Sequence, residues 1–125
     1  MLKMVDKFRI IYNIIRQEKG NVYLFALLKM DKYADKWTVV LSADWALKGD
    51  RSKKFQYLRE VVVKQLEKEE LSKIARLAIF TKESHLVQEL SKYGKDTLIS
   101  DTIKVNGNIV HEGFIYSPSP GDGVV

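Results

Sequence analysis

The segment Val22 to Met30 constrains the fold more than any other part of this chain, because it is apolar at successive positions and only Lys29 is charged. Successive side chains of a strand point to opposite faces, so a strand of this composition must be covered from both sides. It therefore belongs at the centre of a sheet. Its longest uninterrupted apolar part, the seven residues Val22 to Leu28, is far short of the ~20 residues that cross a bilayer. No membrane partner is expected.

The elements around it follow from periodicity. Met4, Phe8, Ile11 and Ile15 recur at helical spacing over residues 2–17, with Gly20 as a C-terminal stop. Leu2, Val5, Ile10, Tyr12 and Ile14 widen that apolar face beyond one stripe, so this helix is either clamped between the sheet and another element or meets a second copy of the chain. Trp37 to Trp45 alternates as a second strand, with Trp37, Val39, Leu41, Ala43 and Trp45 on one face. A second helix is predicted over Ser52 to Leu71 on the spacing of Phe55, Leu58, Val62 and Leu66. A third strand (Ile74 to Phe80), a short helix (Ser84 to Tyr93, stopped by Gly94) and a fourth strand (Leu98 to Val105) come next. Asn106-Gly107 is a strong two-residue hairpin signal leading into a fifth strand, Asn108 to Ser117.

The expected fold is α+β: a five-stranded mixed sheet in the order α-β-β-α-β-α-β-β, with helices packed mainly on one face. Residues 1–117 are expected to form a single domain and 118–125, with two Pro and two Gly, a flexible tail. The absence of Cys excludes disulfide frameworks, thiolate nucleophiles, iron–sulfur clusters and Cys-type zinc sites. Asp6, Lys7 and Arg9 interrupt what would be the apolar part of an export signal, so a cytoplasmic location is expected.

The net charge of +5 is localised: residues 1–77 hold 17 basic and 10 acidic groups, residues 78–125 hold 4 and 6. Four cations, Lys48, Arg51, Lys53 and Lys54, gather at the start of the second helix, with Arg59 further along. The helix dipole already places partial positive charge there, so an anion would be favoured. A nucleic acid or a phosphate ligand is the partner this loop would take. No Walker-type Gly-x-x-x-x-Gly-Lys spacing accompanies it, and Asp50 could cap the helix without any ligand.

If the Asn106-Gly107 turn has two residues, Val105 pairs with Asn108, Ile103 with Val110, and Asp101 with Glu112. Like charges directly opposed on a sheet destabilise it unless a cation or a shared proton compensates. Asp101 and Glu112, with Asp44 as a third carboxylate, are therefore the candidate catalytic or metal-holding residues of a divalent-metal hydrolase. A divalent cation is called for under that reading alone, and no other cofactor is implied. His85 and His111, the latter opposite Thr102 in the same register, lie in no recognisable ligand or nucleophile motif. The leading expectation is a non-catalytic interaction module that self-associates as a homodimer, through the wide apolar helix or a sheet edge.

Overall fold

The computed structural model describes residues 2–33, 36–93, 96–105 and 107–116; the expected tail at 118–125, the Gly94 stop and Asn106 lie outside them. Helix α1 (Leu2–Lys19) leads to strands β1 (Leu24–Met30) and β2 (Trp37–Ser42). Helices α2 (Arg51–Gln65) and α3 (Lys68–Leu71) precede β3 (Ile74–Ile79), and α4 (His85–Ser91) precedes β4 (Thr97–Ile99), β5 (Ile103–Val105) and β6 (Asn108–Ile115). Two 3₁₀ turns, Asp31–Tyr33 and Asp44–Leu47, flank β2. The fold is α+β with a mixed sheet.

The strand order is β3-β2-β1-β6-β4, with β5 also paired to β6. β1 sits centrally, as its apolar faces require, antiparallel to both β2 and β6. β3 runs parallel to β2, returned by the α2–α3 connection, and forms one edge. Beneath α1 and α2, Phe8, Ile11, Phe25, Leu27, Val39, Leu41 and Leu58 form one core. On the opposite face Leu24, Ala26, Leu28, Val40, Val110 and Ile115 pack under α4 through Leu86, Val87 and Leu90. The two long helices thus share one face, and the short α4 serves the other.

The width of the α1 apolar face is used within the chain. Val5 and Tyr12 are buried, and Tyr116 donates a hydrogen bond to the Val5 carbonyl. Ile14 is half-buried on the α2 side, and Ile10 is left exposed. Gly20, at φ +99°, closes the helix by donating to the Arg16 carbonyl at 3.0 Å.

Two predicted elements are divided. The helix expected over 52–71 ends at Gln65, because Leu66 leaves helical geometry (ψ 146°) to bury its side chain and Glu67 opens a new turn. The Glu67 and Glu70 side chains cap each other's backbone at the start of α3, a reciprocal arrangement that satisfies two otherwise free donors. The fourth strand breaks into β4 and β5 at a register slip on β6: Ile99 faces Gly113, yet Ile103 faces Val110. Gly113 is placed where a Cβ would meet Leu28 Cδ2 at 2.9 Å and the Leu27 carbonyl at 3.0 Å, so β6 approaches β1 closely there.

Candidate functional site

The expected carboxylate pair does not form. The two-residue register holds from Val105↔Asn108 back to Ile103↔Val110, and the slip then takes Asp101 out of the ladder into the exposed bend between β4 and β5. Glu112 is aligned with Lys29 on the neighbouring strand instead, Lys29 Nζ lying 3.4 Å from its Oε1. The same ammonium stands 4.7 Å from the centre of the Trp37 ring. Asp44 is exposed beyond the Ser42 end of β2, and Ser42 faces Leu24. Glu112 and Asp44 therefore lie towards opposite ends of β1, whose Leu24 and Lys29 are themselves about 17 Å apart for five residues of strand. Among the described residues no group of three or more His, Asp or Glu side chains is arranged to hold a metal ion.

The basic loop is formed, but its helix end is occupied from within. The Asp50 side chain accepts from Ser52 N at 2.9 Å, and its carbonyl accepts from Lys53 N and Lys54 N. Those are the donors an anion would have used. Arg51 donates from Nη2 to the Ile79 carbonyl at 3.0 Å and lies over the Phe55 ring. Lys48, Lys53 and Arg59 are exposed and Lys54 half-buried. Trp45 donates to the Asn21 carbonyl and packs edge-on to Tyr57, so it supports the core rather than offering a stacking face.

A constellation that periodicity did not reveal involves His111. Its Nε2 lies 2.8 Å from Asp31 Oδ1, and its Nδ1 lies 3.4 Å from Thr102 Oγ1. Hydroxyl, imidazole and carboxylate stand in the order of a nucleophile, a base and its orienting group. The Thr102–His111 half follows from the Asn106-Gly107 register; Asp31 comes from the β1–β2 connection and has no sequence signature. All three residues are exposed, and the hydroxyl contact is at the outer limit of a hydrogen bond. The adjoining hollow, lined by Met30, Asp31, Lys32 and residues 107–109, holds about 140 Å³, below the ~300 Å³ at which ligand pockets begin. The chain of contacts works as a surface tether between the Asp31–Tyr33 turn and β6.

Charge pairs fix the outer elements. Lys7 on α1 reaches Glu70 at 2.6 Å and Glu67 at 3.7 Å, and its pKa is raised, chiefly by the hydrogen bond to Glu70. Arg9 pairs with Asp96 at 3.0 Å and lies over the Phe114 and Tyr116 rings. Arg76 donates to the Tyr33 hydroxyl at 3.1 Å, and that hydrogen bond lowers the Tyr33 pKa.

The two edges of the sheet differ. On one side β4 and β5 are three residues each, separated by the bend that carries Asp101. Short, interrupted and charged edges resist pairing with another chain. On the other side β3 is a six-residue strand, Ile-Ala-Arg-Leu-Ala-Ile, with no strand beyond it among the described residues. Phe80 N donates inward to the Leu41 carbonyl, whereas the Ile79 carbonyl points outward to Arg51. Alternation along the strand directs the Leu77 backbone groups outward as well.

Comparison with protein-family models, with curated proteins and with solved structures finds no match to this chain. No described helix is long and apolar enough to cross a membrane.

Proposed function

We propose that this chain is a non-catalytic interaction module that works by self-association. The observation that carries this reading is the β3 edge: six residues, one of them charged, with the Leu77 backbone groups directed outward and no covering strand among the described residues. An apolar edge of that length is a template for pairing, and natural chains ordinarily blunt it. Sedimentation equilibrium across a micromolar concentration series tests the reading. A mass near twice 14.4 kDa is the expected result, and a monomer mass throughout would remove it.

A second reading, binding of a nucleic acid or phosphate ligand at the loop 48–54, has the exposed Lys48, Lys53 and Arg59 in its favour. It is weakened by the Asp50 cap and by Arg51's engagement with Ile79. Binding to DNA or RNA at low salt that falls steeply as salt rises would support it, and its absence at low salt would end it.

A further inference from the structure

Arg76 is the one charged residue of β3. It is aligned with Thr38 on β2, on the side of the sheet where Val40 packs in the α4 core, and so on the opposite face from α1, α2 and the basic loop. Its partner is a phenol: Nη1 donates to the Tyr33 hydroxyl at 3.1 Å. Tyr33 is half-buried against the α4 core, and Lys32, before it in the Asp31–Tyr33 turn, holds its ammonium 5.4 Å from the ring centre. The carboxylate of that turn, Asp31, meets His111 at 2.8 Å, and Asp35 lies outside the described residues. Among the described residues neither Arg76 nor Lys32 makes an ion pair.

Two kinds of donor therefore stand side by side. A guanidinium carries five N–H groups, of which one is used on Tyr33. The phenol oxygen, accepting from Arg76, keeps its own O–H to donate, and no described residue accepts it. The oxygen also sits in positive potential: the hydrogen bond from Arg76, then its charge and that of Lys32, hold the Tyr33 pKa below its ordinary value against the effect of burial.

We propose that Arg76, Tyr33 and Lys32 form a binding site for the terminal phosphate of a small phosphate monoester. A carboxylate would be satisfied by the guanidinium alone, whereas a phosphate dianion has three oxygens and accepts from the guanidinium and the phenol together while facing Lys32. Three groups at one point suit a single phosphate. A nucleic-acid strand needs a row of cations along its backbone, and β3 supplies only Arg76. Arg51, held at the Ile79 carbonyl, belongs to a position three residues along the strand, about 10 Å away.

Titration with inorganic phosphate near neutral pH and at constant ionic strength, followed by amide chemical shifts, tests the site. Shifts at Lys32, Tyr33 and Arg76 should saturate in the millimolar range. Arg76→Gln should weaken binding roughly tenfold and Tyr33→Phe roughly threefold, whereas Lys48→Gln combined with Lys53→Gln should leave it unchanged. Glycerol phosphate should bind at least as well as inorganic phosphate, and oligothymidylate at equal phosphate concentration should not compete. In the unmodified protein, saturating phosphate should move the ionisation of Tyr33 to higher pH, because a bound anion opposes a second negative charge beside it. Shifts that fail to saturate, that chloride reproduces or that survive Arg76→Gln would overturn the proposal. Tighter binding of oligothymidylate at the same residues would overturn it in favour of a nucleic acid.

Discussion

The guanidinium of Arg51 and the carbonyl of Ile79, 3.0 Å apart, join the first turn of α2 to the end of the edge strand. One of the four cations that suggest an anion site is thereby committed to the fold. Its planar group also covers Phe55, so the side chain contributes both a charge-assisted hydrogen bond and apolar cover. Arg51→Ala should lower stability by about 1–2 kcal/mol, read as a fall of several degrees in the melting temperature. Arg51→Lys should recover less than half, since an ammonium cannot lie flat over the ring while reaching the carbonyl. A loss below a few tenths of a kcal/mol for the alanine variant would show that water replaces the contact.

Gly113 has no room for a side chain. An added Cβ would sit 2.9 Å from Leu28 Cδ2 and 3.0 Å from the Leu27 carbonyl oxygen. The first could rotate away; the second is backbone of the central strand. Gly113→Ala should therefore cost about 1–3 kcal/mol. Urea unfolding should show a lower midpoint with an unchanged slope.

The alkaline limb of stability should be steep. Burial and then the hydrogen bond to Glu18 push the Tyr57 hydroxyl pKa well up, and burial raises that of Tyr116. A raised folded-state pKa means that the folded chain keeps protons the unfolded chain releases, so stability is full below the unfolded value near 10 and falls as pH rises beyond it. Lys7, raised by Glu70, acts in the same direction above the ordinary lysine value of 10.5. Tyr57→Phe should flatten the stability profile above pH ~10 while leaving its shape near neutrality unchanged. In an absorbance titration Tyr33, lowered by Arg76, should ionise before Tyr57 and Tyr116.

With Asp101 and Glu112 apart, a divalent cation cannot bridge that pair. Asp101→Asn should shift stability by no more than ~0.5 kcal/mol, and magnesium or manganese should leave the melting temperature of the wild-type chain unmoved. A rise of several degrees on adding metal would reopen the hydrolase reading.

His111→Ala tests the surface tether. With His111 and Asp31 both exposed, its loss should cost no more than about 1 kcal/mol. Hydrolysis of an activated ester by wild-type protein should not exceed that of the variant. A higher wild-type rate would mean that Thr102, His111 and Asp31 act as a catalytic unit.

The sequence by itself determined that β1 is central, since a strand apolar on both faces is stable only when covered twice, and that Trp37, Val39 and Leu41 share one side of β2. It also determined the turn at Gly107 and the pairing of Ile103 with Val110, because a two-residue turn sets the register beside it. Only the tertiary structure decided what lay farther from that turn. The slip beyond Ile103 moved Asp101 out of line, and Glu112 is met from the other side of β6 by Lys29, about eighty residues away in the chain. The fate of the basic loop was likewise decided at long range, where Arg51 met a carbonyl on β3 that no local pattern announces. Periodicity reports which face a residue occupies. It carries no information about which neighbour the fold will bring to that face, and the candidate sites depended on the neighbours.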